Sequence, residues 1–338
     1  MRRREDPSED FSFEPIAVVI PCYKVSRHVL DLLAHIGPEC SSIFVVDDAC
    51  PEGSGELVEQ SCRDPRVKVL YHERNLGVGA AVMTGYRAAL GVGARIIVKL
   101  DGDGQMDPRL IERFVAPILA GEADYTKGNR FYDLRHIANM PAVRIFGNAA
   151  LSFMAKLSTG YWNIFDPTNG YTAVHAAAVE RLPLDRLSPR YFFETDMLLR
   201  LNTIRAVVRD VPMDPRYGDE ESGLRIARVG VEFLFKHARN FAKRIFYSYF
   251  LRDFSIASLE LCVGSALALF GLLFGGYHWA ISVHYDRVAT TGTVMLAALP
   301  FLIGVQYLLA FLAFDTRAVP TEPIHPRVAT HRVGLFGG

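Results

Sequence analysis

The chain has 338 residues, half of them apolar, and its 37 basic residues balance 37 acidic ones. That length and apolar content allow more than one structural unit with a sizeable core, and the balance removes any whole-chain electrostatic reason to bind nucleic acid. The five cysteines, Cys22, Cys40, Cys50, Cys62 and Cys262, are odd in number and lack CxxC spacing, which argues against a disulfide framework or zinc site and for a reducing compartment.

The opening, MRRREDPSEDFSFEP, is charged and holds no apolar stretch, so no cleavable signal is expected there. Continuous β-rich runs follow at 16–20 (IAVVI), 42–48 (SIFVVDD), 67–72 (VKVLYH) and 95–101 (RIIVKLD), with helical patterns at 27–36, 54–62 and 78–91. Apolar strands separated by helices predict an α/β fold with a parallel sheet covered on both faces, whose ligands gather at the carboxyl ends of the strands. Asp47 and Asp48 end the second run. Asp101, Asp103 and Gln105 follow the fourth, alternating with Gly102 and Gly104. Both acid groups are expected to open onto one crevice.

A turn or helix cap accounts for one acid, whereas the loop after the fourth strand carries two and an amide. Oxygen ligands of this number suit Mg²⁺ or Mn²⁺, which binds through a few carboxylates, keeps waters and holds substrate phosphates. Such an ion stabilises a diphosphate as the bond to it breaks. The glycine turn NLGVGAA (75–81) lacks the GxGxxG spacing of a dinucleotide fingerprint, and Gly77 and Gly79 are expected to let a helix start close to the sheet or a donor.

Past residue 125 come GNR (128–130), an amphipathic stretch at 144–157, the loop FDPTNGY (165–171) and a strand candidate at 206–213. The stretch 226–251 interleaves aromatic and basic residues at helical spacing. Seven bases, Arg225, Arg228, Lys236, Arg239, Lys243, Arg244 and Arg252, face only Glu232 before Asp253. Such a helix is expected in the lipid headgroup layer, the alternative being a surface helix packed on the enzyme core.

Residues 256–281 contain one acid, Glu260, and residues 292–314 contain no charge. Both exceed the roughly 20 residues that cross a bilayer. Glu260 is expected at the interface or paired with a neighbouring helix. Basic flanks and a short connector predict a multi-pass protein of the cytoplasmic membrane with its catalytic part in the cytoplasm. Gly271, Gly275 and Gly276 offer small side chains for association into a homo-oligomer. The tail after Pro320 is expected to be disordered.

The segments VVIPCYK, VVDDACPEGSGE, ERNLGVGAAVMTGYRAAL, LDGDGQMDP, GNRF, DPTNGY and FFETDM, in order and spacing, resemble the family-2 glycosyltransferases that load a sugar onto a polyprenyl phosphate. Dolichyl-phosphate mannose synthase and the bacterial undecaprenyl-phosphate glucosyltransferases are of this type. The resemblance implies a GT-A type, mostly parallel sheet flanked by helices, then amphipathic interface helices and two transmembrane helices. Its division would be a tail (1–14), a catalytic domain (15–222), interface helices (223–254), a transmembrane hairpin (255–315) and a cytoplasmic tail (316–338).

Carried over by position, the resemblance implies nucleotide contacts from Pro21, Tyr23, Asp48 and Glu52, with Cys50 and Glu52 departing from the usual DDxSxD pattern. Asp101, Asp103 and Gln105 would hold Mg²⁺ or Mn²⁺, with Asp101 also near the donor. Arg130 would face the diphosphate or acceptor phosphate, Arg144 and Asn148 the membrane-side acceptor groove, and Asp166, Thr168 and Asn169 the sugar. Glu194 and Asp196 would stand at the acceptor end, as bases or as orienting groups.

The implied reaction is metal-dependent, inverting transfer from a UDP- or GDP-linked sugar to a polyprenyl phosphate. A phosphate monoester is already ionised near neutral pH, its second pKa being about 6, so the acceptor needs no strong base. The alternatives are a polysaccharide- or glycolipid-extending transferase, for which more spans and a QxxRW motif are expected, and an inactive membrane scaffold on the same fold.

Overall fold

The computed structural model describes residues 14–132, 142–214 and 226–326. Seven strands, β1 (Ile16–Cys22), β2 (Cys40–Asp47), β3 (Val67–Tyr71), β4 (Ile96–Lys99), β5 (Tyr125–Asn129), β6 (Thr172–His175) and β7 (Val208–Pro212), form one sheet in the order β3-β2-β1-β4-β6-β5-β7. All neighbouring pairs are parallel except those of β6, which runs antiparallel to both β4 and β5. The sheet is therefore mostly parallel, and its one reversed strand brings the chain back from the 165–171 loop.

Helices α1 (Val29–Ala34), α2 (Ser54–Ser61), α3 (Val78–Gly91), α4 (Ile111–Leu119), α5 (Ala142–Thr159) and α6 (Phe193–Thr203) flank the sheet. Val18 and Ile20 of β1, Ile43 and Val45 of β2 and Val98 of β4 pack with Leu32 and Leu33 of α1 and Phe114 and Ile118 of α4. The alternate residues of β1 meet α3, where a Cβ on Gly85 would lie 2.2 Å from Val19. A strand buried on both sides must be apolar at every position, which is why β1 reads as a continuous run.

The chain divides into two compact units. One runs to Asn240 and takes in the segment from Pro320, and the other is Phe241–Val319. These borders differ from the sequence expectation in two places. Helix α7 (Ile226–Phe246) does not form a unit of its own: within the first unit it buries His237, whose Nδ1 lies 2.8 Å from Ser158 Oγ, and Asn240. Its other side exposes Val231, Leu234 and Phe235. The buried side packs within the first unit, as the alternative of a packed surface helix expected.

The second difference is the segment after Pro320, which is ordered as far as it is described. The backbone N–H groups of Ile324 and His325 donate to Asp124, His325 Nδ1 lies 2.8 Å from Asp124 Oδ1, and its ring stacks 4.4 Å from that of His175. Ile324 is buried. Burial alone would raise the Asp124 pKa, but His325 and the N–H groups of Val207, Ile324 and His325 outweigh it and hold the carboxyl below the usual range.

In the second unit, α8 (Ile256–His284) and α9 (Thr291–Arg317) are long and apolar enough to cross a membrane, with mean hydropathies of 2.0 and 2.1. Only 22% and 11% of those windows are buried, whereas a core helix of a soluble protein is mostly covered. The pair is close-packed: a Cβ on Gly304 would lie 2.4 Å from the backbone N of Ala268, and one on Gly271 would meet Ala297 O at 2.7 Å. Gly271 is therefore committed inside the hairpin, while Gly276 faces open space. In the same unit, Arg244 binds Asp315 of α9 through two nitrogens at 2.6 and 3.0 Å, and Tyr249 Oη donates to the same carboxylate at 2.6 Å.

Candidate active site

The two acidic strand ends have different surroundings. Asp47 Oδ1 accepts from Cys50 N at 2.7 Å and Oδ2 from Gly55 N at 2.7 Å, tying the turn after β2 to the start of α2. Asp48 accepts from Leu76 N at 2.8 Å and Gly77 N at 2.7 Å, and His72 Nδ1 lies 2.7 Å from its Oδ1. His72 Nε2 reaches Thr84 Oγ1 at 2.9 Å. Both carboxylates are only 2% exposed. Asp48, expected to face the nucleotide, is saturated by its own chain here and holds the turn that launches α3.

The glycines of that turn have a related role. Gly77 has φ +102° and a Cβ there would lie 2.5 Å from Pro189 O, while one on Gly79 would lie 2.4 Å from Ser188 O. They let α3 begin against the 188–190 segment. Of the other nucleotide candidates, Pro21 is buried in β1, Tyr23 is 44% exposed, and Glu52 is exposed and accepts from Ser26 Oγ at 3.1 Å.

The loop after β4 is built otherwise. Asp103 Oδ1 accepts from Gln105 N at 3.0 Å, which closes the turn. A Cβ on Gly102 would meet Val25 at 3.0 Å and Pro21 O at 3.4 Å, so this corner presses on the turn after β1. A Cβ on Gly170 would lie 2.1 Å from Asp101 Oδ2, so the 165–171 loop leaves room for that carboxylate only because it has glycine there. Asp101 Oδ1 is buried and, beyond an ion pair with Lys99 at 2.8 Å, has no hydrogen-bond partner among the described residues. Among the described residues no three His, Cys, Asp or Glu side chains converge. The donor set here is oxygen only, two carboxylates and an amide, and a hard divalent cation that retains waters accepts such a set.

Lys99, fully buried, also donates to Glu194 Oε1 at 3.1 Å. Burial alone would lower the lysine pKa, but the carboxylates of Asp101 and Glu194 more than offset it and hold it above the ordinary range. Glu194 is thus an ion-pair partner at the start of α6. Asp196, two residues on, accepts from Ser188 N at 3.0 Å and from Asn240 Nδ2 at 3.4 Å, and Arg200 Nε lies 3.5 Å away. It braces its own surroundings, so of the two acids expected at the acceptor end it is Glu194 that connects to the corner, through Lys99.

Arg130 grips Asp166 with Nε at 2.7 Å and a terminal nitrogen at 3.0 Å. Asp166 and Asn169 are buried and Thr168 is exposed, and Asn169 Oδ1 accepts from Tyr171 N at 2.9 Å. Asp166 and Asn169, expected to line the sugar, here shape the loop that carries Gly170. Asn148 is half-buried on α5, and the Arg144 side chain lies outside the described residues.

Three groups escaped the sequence reading. Lys99 was visible only as the end of an apolar run. Lys127 on β5 is fully buried, donates to Asn169 O and is pushed down to about 8 by burial, against Glu194 and Asp166. Asp210 on β7 is pushed up to about 6 by burial while accepting from Asn129 Nδ2 and Phe165 N.

A mostly parallel sheet with an oxygen-rich corner after a central strand is a transferase architecture of GT-A type, and comparison with known proteins gives the family. The sequence profile of Glycosyl transferase family 2 matches residues 17–182. An undecaprenyl-phosphate mannosyltransferase of Micrococcus luteus is 30% identical over 203 residues, 59% of this chain and 82% of that protein. A UDP-N-acetylglucosamine–dolichyl-phosphate N-acetylglucosaminyltransferase of Methanococcus voltae is 28% identical over 216 residues, 60% of this chain and 86% of that protein. The chain belongs to glycosyl transferase family 2. Among solved structures, a Mycobacterium tuberculosis glucosyl-3-phosphoglycerate synthase in complex with Mn²⁺, UDP-glucose and phosphoglyceric acid aligns with a TM-score of 0.51 and 18% identity, covering 68% of this chain and 79% of that one. At that identity the likeness is one of fold.

Proposed function

We propose that this protein transfers a sugar from a nucleotide-diphosphate sugar, UDP- or GDP-linked, to a polyprenyl phosphate at the cytoplasmic face of the membrane, with inversion at the anomeric carbon. The observation that carries the reading is the Asp101–Gln105 corner, pressed between the turn after β1 and Gly170, in a chain that continues into two exposed apolar helices. The names of the relatives supply the acceptor class.

Asp101, Asp103 and Gln105 would hold Mg²⁺ or Mn²⁺, which when bound neutralises charge on the leaving diphosphate. Tyr23, on the turn after β1 that the corner presses on, and Glu52, on the turn after β2, are both exposed and would meet the nucleotide. An acceptor phosphate oxygen attacks the anomeric carbon as the bond to the diphosphate breaks. Since that oxygen is already ionised, the chain's task is to position and to stabilise charge. Arg130, with Arg144 and Asn148, would receive the acceptor phosphate, and Thr168 the sugar. Glu194, held by Lys99, orients rather than abstracts a proton. Two crossings by α8 and α9 would return the chain to the side on which it started.

The test is transfer from radiolabelled UDP- and GDP-sugars to undecaprenyl phosphate by the full chain in nanodiscs with Mn²⁺. A lipid-linked product that a chelator abolishes and Mn²⁺ restores is expected. Full transfer by Asp103→Ala, or no product from any nucleotide sugar, overturns the reading.

A further inference from the structure

Lys99 is accounted for by neither the motifs nor the reaction. One ammonium at the end of β4, 1% exposed, reaches Asp101 Oδ1 at 2.8 Å and Glu194 Oε1 at 3.1 Å. It has a counterpart in the sheet: Lys99 and Lys127 both lie opposite Thr172 in register, one on each side, and both are buried. A layer that only needed filling would do as well with apolar side chains, because the desolvation of a buried ion pair cancels much of its attraction.

What the pair does instead is give Asp101 one orientation. Lys99 holds its Oδ1, and the backbone of Gly170 confines its Oδ2. The same ammonium fixes Glu194 on α6, and the Ser188–Arg190 segment preceding that helix packs against Gly77 and Gly79. The acidic corner, α6 and the start of α3 are in this way joined through one side chain.

We propose that Lys99 is a positioning residue: it sets the Asp101 carboxylate for the metal-bound donor and lowers the negative charge of that corner, so that the cation and diphosphate are released after transfer. The proposal rests on Asp101 being a donor-side metal ligand. A cation 2.8 Å from that ligand favours its geometry and opposes metal binding. Removing it therefore has two consequences of opposite sign, whereas general damage to the site weakens both binding and turnover.

The experiment compares Lys99→Met, Lys99→Met/Glu194→Leu and Asp101→Asn with the wild type, as full chains in nanodiscs. Mn²⁺ binding is measured by electron paramagnetic resonance with UDP and with GDP, alongside kcat, KM and melting temperature. Lys99→Met is expected to bind Mn²⁺ about fivefold or more tightly, within the usual range of coupling between sites. Its kcat is expected to fall about 10²-fold, the scale of a small misplacement of a reacting group. The double variant, with apolar side chains in place of the ion pair, should recover melting temperature and keep the slow turnover.

Recovery of both melting temperature and turnover by the double variant would mean that Lys99 only balances charge, and the proposal fails. It fails also where Lys99→Met weakens Mn²⁺ binding in step with turnover. Should Asp101→Asn bind Mn²⁺ as the wild type does with either nucleotide, the metal assignment beneath the proposal is the part at fault, and both fall.

Discussion

The acids after β2 and the acids after β4 look alike as sequence, each a carboxylate group closing a buried strand. In the fold they differ in who satisfies them. Asp47 and Asp48 together take four backbone N–H groups, those of Cys50, Gly55, Leu76 and Gly77. Asp101 takes none at its buried Oδ1 and is held by an ammonium instead. A carboxylate saturated by N–H groups is part of the scaffold, whereas one steadied by a single charge keeps capacity for a ligand.

Substitutions at the two ends should therefore separate activity from stability. Asp101→Asn is expected to lower transfer about 10³-fold, several kcal/mol of lost charge stabilisation, with a smaller loss of melting temperature than Asp47→Ala because the amide keeps an oxygen beside Lys99. Gly170→Ala places a methyl on the same carboxylate and should cost about 10²-fold in transfer without unfolding the first unit.

Asp47→Ala reverses the pattern. It leaves two N–H groups without acceptors, so denaturant melts should show a loss of about 2–5 kcal/mol. An unchanged midpoint would break the comparison.

Glu194→Gln keeps an oxygen for Lys99 and should slow transfer less than about tenfold, where loss of a general base costs about 10²–10⁴. The smallest effect lies outside the site. Burial holds His237 at about 4, below the unfolded value of about 6.5, so stability that is full above that value declines as pH falls toward 4. His237→Gln, which retains a partner for Ser158, should flatten that acid limb in melts followed against pH.

How far the sequence was legible follows from the distance over which each feature is decided. Strands β1 to β4 are apolar runs and could be read locally. β5 reads YTKGN and β6 TAVH, short segments whose buried Lys127, Gly128 and Thr172 hide them from any pattern of apolar residues. The Asp101–Gln105 corner was legible because its spacing is local, closed by a bond between residues two apart. The fate of Asp48 was not, since the N–H groups that occupy it come 28 and 29 residues later. The partner that fixes the role of Glu194 stands 95 residues away. In the DPTNGY motif the buried Asp166 and Asn169 shape the loop, and Gly170 is the residue that meets Asp101.

Asp124 receives the backbone of Ile324, 200 residues further along, after both apolar helices have been made. During synthesis the Asp124 carboxylate, just before β5, must wait for this partner until both helices have left the ribosome. Completion is thereby ordered: the first unit reaches its finished form only once the whole of the second has been made.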